Sequence, residues 1–272
     1  MLEDFAVKKI NWKSKIENVG EILAELNILP ESVVFIDDNP RERDAIKDAF
    51  PDVRTLGSNP YLLRQILLWS PETQVTFITE ESKNRTQMIQ AKIAVESIKS
   101  KMSTEDFLNK IKLKASIFEI KGVDDPRFNR CFELLNKTNQ FNTTGKRWSL
   151  DEIVKKLGGD FHIYSFDAQD IYSSYGLVGA LVFEKENLNQ MVMSCRVVGL
   201  GLELAALSAV LNSLKVKGIQ NVSAITIQTE ANLLSRNVYE KFGFTKINDQ
   251  YWGLSLNNIP TPPSHITISH VD

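Results

Sequence analysis

The period of hydrophobic and polar positions changes several times along the chain, and each change predicts an element. The stretch Asp4–Leu29 reads as an Asn11-Trp12 turn leading into a helix. Ile16, Val19, Leu23 and Leu26 line one face of that helix, and Ser14 and Glu17 have capping-box spacing. Val33-Val34-Phe35-Ile36 is a continuous apolar run, which predicts a strand buried on both faces. A helix over Arg41–Phe50, a short strand over Val53–Leu56 and a helix over Tyr61–Trp69 follow. Met88, Ala91, Val95 and Ile98 keep helical spacing through the charged stretch Ser82–Met102, predicting one long helix that bridges two halves. Ser103, with Asp106 three residues on, caps a further helix that turns Phe107, Leu108 and Ile111 inward.

Beyond that helix the pattern alternates between strand and helix. Lys114–Ile120 predicts a strand, and Asp125–Thr138 a helix opened by Pro126 and carrying Phe128, Cys131, Phe132 and Leu135 on its apolar side. Trp148–Leu157 is a helix ended by Gly158-Gly159, and Phe161–Phe166 and Gly176–Phe183 are neighbouring strands. A short apolar strand ends at Cys195, and a glycine-containing turn leads directly into a helix. Leu204, Leu207, Leu211 and Leu214 predict one buried face for it; Gly218, with Lys215 and Lys217, predicts its end. Tyr251–Leu256 is read as the last strand, closing the sheet. Pro260–Asp272 is Pro-rich and read as a disordered or draped tail.

Composition narrows the class without changing this outline. A chain of 272 residues makes two domains, or one large one. At 43% hydrophobic and 24% charged residues it reads as a soluble globular protein. No apolar run is long enough to span a bilayer, and the first residues lack a signal-peptide pattern, so neither membrane nor secretion is expected. A net charge of −2 argues against a nucleic-acid partner. Cys131 and Cys195 are the only cysteines, which excludes a disulfide framework and points to the cytoplasm. His162, His265 and His270 are the only histidines, too few for a histidine-rich metal cluster.

Four places carry candidate chemistry. Arg196, Gly199 and Gly201 form an R-x-x-G-x-G turn between strand and helix, where bare backbone N–H groups and a positive helix end face an anion. Asp37-Asp38 ends the Val33–Ile36 strand, where α/β folds place ligands. The acidic pair is either a site for a hard cation such as Mg²⁺ or part of an Asp-Asn-Pro turn capping the next helix. Asn139, Gln140 and Asn142 surround Phe141, and either line a substrate pocket or satisfy backbone groups in a turn. Cys195, directly before Arg196 and a helix start, is either an acyl-accepting thiolate or a small packed residue. Cys131, on an apolar helix face, reads as a core residue, and His162 as a partly buried strand residue rather than a base.

The segment Met193–Phe244 resembles the acyl-carrier motif of the GNAT acyltransferases. It continues into a second pattern of that family, N-x6-Y-x3-G-F, at Asn232, Tyr239, Gly243 and Phe244. The resemblance implies that Arg196, Val197, Gly199 and Gly201 hold the pyrophosphate of CoA or the phosphate of 4′-phosphopantetheine. It implies that Asn232 holds the pantetheine arm and that Tyr239 protonates the leaving thiolate. The N–H groups of Met193–Val197 are expected to polarise the thioester carbonyl. No general base for an amine acceptor is evident.

A wider resemblance covers about Phe5–Phe244. Asn11-Trp12 with Lys15, FIDDNPRER (Phe35–Arg43), Thr79-Glu80-Glu81 to Arg85, Ser103–Phe107, Thr138–Asn142 and the Ser194-Cys195-Arg196 block are similar to FkbH-like proteins. These fuse a haloacid-dehalogenase (HAD) domain to a GNAT-like domain. The implied fold is an incomplete Rossmann-like parallel sheet, then a mixed GNAT-like sheet flanked by helices, in both α/β and α+β style. The boundaries read as 1–80 for the HAD-like part, 81–112 for bridging helices, 113–257 for the acyltransferase domain and 258–272 for the tail. Lys15 matches the lysine that steadies phosphate, and Asp37 and Asp38 match the Mg²⁺ pair.

This sequence departs from the pattern at Ser173-Ser174, where the family often has Gly-Asp, and more consequentially upstream of Lys15. The D-x-D-x-T motif with the HAD nucleophile does not precede Lys15. The chain is therefore expected to be a C-terminal part, to need Mg²⁺ only alongside the missing half, and to have no phosphatase or phosphotransferase activity alone. The Val33–Ile36 strand is expected to present an uncovered edge that invites self-association or docking. The resemblance implies loading of a glyceryl-like acyl group from an acyl phosphate onto the phosphopantetheine of an acyl carrier protein. Two alternatives stand beside it: a GNAT N-acyltransferase using acyl-CoA, and a non-catalytic module that docks a carrier.

Overall fold

A computed structural model of the chain describes residues 4–26, 28–70, 74, 78, 83–87, 89–90 and 102–270. The chain divides into two compact units, 1–93 and 94–272. Most of the expected bridging helix Ser82–Met102 lies outside the described residues.

In the first unit, α1 (Lys15–Leu26) starts at the predicted capping box. The Glu17 N–H donates to Ser14 Oγ at 3.2 Å, and the Ser14 N–H donates to the Glu17 carboxylate at 3.1 Å. β1 (Val34–Ile36) and β2 (Arg54–Leu56) pair in parallel, Phe35 opposite Thr55. Between them, α2 (Pro40–Ala49) has Pro40 in its first turn, and the Asn39 side chain accepts from the Arg41 N–H. α3 (Pro60–Trp69) is capped the same way by Asn59. The expectation that the first strand is buried on both faces is corrected: Val34 is 45% and Ile36 39% exposed. Among the described residues β1 pairs with β2 alone.

The second unit is a mixed eight-stranded sheet with helices on both faces, in the order β10-β3-β4-β5-β6-β7-β9-β8. After α4 (Thr104–Ile111), β3 (Leu113–Ile120) is followed by α5 (Phe128–Lys137) and α6 (Leu150–Lys156). β4 (Phe161–Gln169), β5 (Ser174–Glu184) and β6 (Asn187–Met193) then extend the sheet as an antiparallel meander. α7 (Leu202–Val216) crosses over to β7 (Asn221–Ile225), which lies parallel to β6; α8 (Val238–Phe242), β8 (Thr245–Lys246) and β9 (Tyr251–Ser255) follow. One apolar core joins the sheet to α4, α7 and α8 through Phe107, Ile111, Leu207, Leu211 and Tyr239. The other joins it to α5 and α6 through Phe128, Cys131, Leu135 and Ile153. Central β5 is covered on both faces, and it is accordingly apolar at consecutive positions from Ala180 to Phe183.

Three expectations change here. The tail is neither disordered nor merely draped, because Ile266–His270 forms β10, parallel to β3 with Ile266 opposite Leu113. Alternation of Ile266 and Ile268 with Thr267 and Ser269 suits an edge strand, and β3 offers it an unpaired row of backbone groups. The strand expected to close the sheet, β9, instead lies inside it between β7 and β8, because Thr245–Lys246 pairs along its free side. The α7 helix also buries more than one face: Ala205, Ala206, Ser208 and Ala209 are covered as well as the leucines. The chain after β9 runs against them, and the Ser208 hydroxyl donates to the Pro260 carbonyl at 3.0 Å.

Gly179 on β5 sits opposite Phe166 on β4, and a Cβ there would lie 2.0 Å from the Phe166 ring. Gly179→Ala is expected to lower the unfolding free energy by about 2–3 kcal/mol. Gly159→Ala, whose Cβ would meet nothing within 4 Å, should be nearly neutral in the same urea titration.

Candidate functional site

β6 delivers the chain to the glycine turn. Ser194 opens a 3-10 turn over Cys195–Val197, and the Arg196 guanidinium donates through Nε to Ser194 Oγ at 3.1 Å. Leu200 closes the turn, its N–H donating to the Val197 carbonyl and its side chain seated in the core. Gly199 and Gly201 on either side have φ of 85° and 80°, a left-handed region that a β-carbon would strain. Among the described residues the N–H groups of Gly199, Gly201 and Leu202 have no backbone acceptor. They stand at the start of a 15-residue helix whose dipole adds positive potential. That combination is suited to a phosphate oxygen. Glu203 lies beside it, and burial pushes its carboxyl upward, towards the neutral form.

Below the turn β6 and β7 part. They are paired only at Asn187–Ser223 and Leu188–Ala224. Residues 141–144 fill the widening gap as a backbone wedge. The Thr143 N–H donates to the Met191 carbonyl at 3.0 Å, and the Met193 N–H donates to the Phe141 carbonyl at 3.0 Å. On the other side the Ile227 N–H donates to the Thr143 carbonyl at 2.8 Å. The Thr143 hydroxyl accepts from the Met191 N–H at 2.9 Å and from the Tyr239 hydroxyl at 3.4 Å.

Buried amides hold the wedge. The Asn142 Oδ1 accepts from Thr144 N–H, Gly145 N–H and Gln190 Nε2, while its Nδ2 donates to the Thr138 carbonyl. The Asn232 Nδ2 donates to the Asn142 and Ile227 carbonyls, and its Oδ1 accepts from the Thr229 N–H. Gln190 in turn accepts from the Trp148 indole N–H.

Of the residues singled out from sequence, Asn142, Asn232 and Tyr239 therefore meet at the wedge. Arg196, Val197, Gly199 and Gly201 form the turn above it. Gln140 is half-buried at the wedge's leading edge, its Oε1 enclosed and without a hydrogen-bond partner. Asn139 points elsewhere, its Oδ1 accepting from Arg147. Thr143, Gln190 and Trp148 were not anticipated. A glutamine inside the apolar strand Asn187–Met193 was the one visible sign of them.

Tyr239 is fully buried, and burial pushes its phenol well above the ordinary tyrosine range, so the proton stays on the oxygen. The polarising role expected of the Met193–Val197 N–H groups is corrected for Met193, Ser194, Arg196 and Val197. The Met193 N–H is taken by Phe141, that of Ser194 by the Val178 carbonyl at 2.7 Å and that of Val197 by the Ser194 carbonyl. The Arg196 N–H is directed to Ser194 Oγ. Closing the strand ladder and the 3-10 turn consumes these donors.

Cys195 lies in the 3-10 turn, half-buried. Cys131 is in the core, where burial pushes its thiol up to about 12. His162 is bonded through Nδ1 to Glu119 at 2.6 Å. In the first unit, Lys15 is ion-paired with Asp37, whose carboxyl is thereby held below its usual range. Asp37 Oδ1 also accepts from the Asn39 N–H, and Arg43 donates to the Asp37 and Asp38 carbonyls at 2.7 and 2.8 Å. A hard cation takes about six oxygen ligands. Among the described residues no three His, Cys, Asp or Glu side chains gather around this pair. The two carboxylates, one already neutralised by Lys15, do not by themselves make a Mg²⁺ site.

No family model and no curated sequence matches the chain. Several solved structures do. A domain from Methanocaldococcus jannaschii aligns at 14% identity over 52% of this chain and 99% of its own, with a TM-score of 0.40. The ribosomal-protein-S18-alanine N-acetyltransferase from Escherichia coli aligns at 11% over 52% and 94%, with a TM-score of 0.39. An N-acetyltransferase from Staphylococcus aureus aligns at 18% over 52% and 98%, with a TM-score of 0.36. No described helix is long and apolar enough to cross a membrane.

Thr143→Val keeps the shape of the wedge but strands the Met191 N–H. Urea unfolding should show a loss of about 1–3 kcal/mol, and amide exchange at Met191 should quicken. A thiol-labelling reagent is expected to modify Cys195 in the folded chain and Cys131 only after denaturation; equal labelling rates would show that the core does not shield Cys131.

Proposed function

We propose that the second unit receives a phosphate-bearing acyl carrier at the Arg196–Gly201 turn, and that the chain is the acyltransferase part of an FkbH-type enzyme. One observation carries this reading: at two left-handed glycines before α7 the N–H groups of Gly199, Gly201 and Leu202 have no backbone acceptor among the described residues, just after a strand that parts from its parallel neighbour. The order of the sequence motifs supports it, since the TNQFN stretch that FkbH-like proteins share supplies the wedge beside that turn. Arg196 and the N–H groups around Gly199 and Gly201 hold the phosphate of 4′-phosphopantetheine. Val197 anchors the turn in the core. Tyr239 keeps a proton for the departing thiolate, and Asn232 ties the arm's path to the wedge.

Cys195 has a chemically balanced role in this scheme. Its thiol attacks the carbonyl of an acyl phosphate, the C–O bond to phosphate breaks, and inorganic phosphate leaves with the acyl group on sulfur. The carrier thiol then takes the acyl group and restores the Cys195 thiol. Lys15, Asp37 and Asp38 belong to phosphate handling with Mg²⁺ only when a nucleophile-bearing HAD segment completes that site.

A second reading is favoured by the enclosure of Tyr239 and by the spent N–H groups of Met193, Ser194, Arg196 and Val197: a carrier-docking module without chemistry of its own. Calorimetry with a holo acyl carrier protein, its apo form and CoA separates these readings. The proposal expects holo-carrier binding that depends on phosphopantetheine and weakens about tenfold or more in Arg196→Ala. It also expects acyl transfer from an acyl phosphate to the carrier thiol. Binding of holo- and apo-carrier alike, without transfer, gives the docking reading. Tight CoA binding with acylation of an amine gives an N-acyltransferase. Absence of all binding rejects the phosphate role of the turn.

A further inference from the structure

The segment after β9 does more than add an edge strand. Between Pro260 and β10 it passes directly over the glycine turn. It is held at one end by the Ser208–Pro260 bond of 3.0 Å, and at the other by the pairing of Ile266–His270 with β3. Between these anchors His265 Nε2 lies 2.8 Å from the Leu200 carbonyl oxygen. A carbonyl can only accept, so the imidazole carries its proton on Nε2 and donates it. Pro263 and the His265 ring close over Gly201, where an added Cβ would lie 3.4 Å from Pro263 Cγ and 3.7 Å from His265 Cε1.

The Leu200 carbonyl and the Gly201 N–H belong to one peptide plane, and every peptide bond described is trans. In a trans peptide these two groups point in opposite directions. Holding the carbonyl against His265 therefore aims the Gly201 N–H away from the strap. A peptide flanked by a left-handed glycine is also the one most easily turned over, because glycine tolerates both orientations. Without the histidine, that donor has no fixed direction.

We infer that His265 is a positioning residue for the phosphate turn: through the Leu200 carbonyl it sets the Gly201 N–H as a donor, and residues 260–270 are a strap that keeps it there. This rests on the reading of Arg196–Gly201 as a phosphate site, and it adds a residue outside the motif on which that reading depends. His265 does not touch the anion. Its contribution is preorganisation of the donors that do.

The near-isosteric pair His265→Gln and His265→Leu tests this in the full chain, since glutamine keeps an N–H donor and leucine does not. Two readouts are needed: calorimetry with CoA and with inorganic pyrophosphate, and the nitrogen shift and hydrogen exchange of the Gly201 amide in ligand-free protein. His265→Leu is expected to weaken both ligands about tenfold while the chain stays folded, with His265→Gln within about threefold of the natural protein. The Gly201 amide should shift and exchange faster in the leucine variant only. Equal affinities and an unchanged Gly201 amide in His265→Leu would overturn the inference. So would failure of glutamine to restore what leucine loses. If the natural protein binds neither CoA nor pyrophosphate, the phosphate reading fails on its own. The Gly201 amide then still decides whether His265 sets the peptide.

Discussion

A strand that loses its neighbour partway along must satisfy its backbone groups another way, and the second unit is built around that requirement. β6 leaves β7 after Leu188, which would strand the polar groups of Met191 and Met193 inside an apolar core. An unmet buried donor costs about 1–3 kcal/mol. The wedge of residues 141–144 meets those groups on one side and Ile227 on the other. Asn142 and Thr143 are fully buried for this reason, each accepting from several directions at once. Such a network is all-or-none, because removing one member leaves the others buried and unpaired.

The same constraint shapes the chemistry available. Donors used to close the gap are not available to a substrate, and the N–H groups without a backbone acceptor among the described residues lie one step further along, at the Gly199–Gly201 turn. There the tight backbone leaves N–H groups unspent at the start of α7. Tyr239 and Asn232 are drawn into the wedge, the phenol bonded to the Thr143 hydroxyl and the amide to the Asn142 carbonyl. The turn and the wedge are coupled through β6, and the strap from Pro260 to His270 ties the turn to the far edge of the sheet.

The first unit follows a different logic. Its two parallel strands are short, and its order comes from caps: Ser14 with Glu17, Asn39 before Pro40, and Asn59 before Pro60. The Lys15–Asp37 pair joins α1 to the end of β1, with Arg43 bonded to the carbonyls of the same turn. Of the two alternatives read from the Asp-Asp-Asn-Pro stretch the cap is seen, Asn39 closing the start of α2, while Asp37 is paired with the Lys15 ammonium.

Much of this was legible in the sequence because it depends on neighbours along the chain. Helical periodicity placed α1, α4 and α5, the cap residues Ser14 and Ser103 fell where their hydroxyls accept, and the glycine turn was recognisable from three residues. Cys131 was readable as core for the same reason. What the sequence could not show involves partners far apart. Phe141–Thr143 resembles a loop until β6 and β7 part around it. Ser208 and Ala209 look solvent-facing until Pro260 arrives. His265, in a Pro-rich tail, has no local pattern at all. Its meaning comes from a carbonyl 65 residues earlier, and only the closing of the sheet by β10 brings the two together. The amino-acid order by itself determined most of the elements, though not β8 or β10, and the candidate phosphate turn. The tertiary structure decided which polar groups are spent on holding the fold and which are left to bind, because buried donors must be satisfied wherever the chain brings an acceptor.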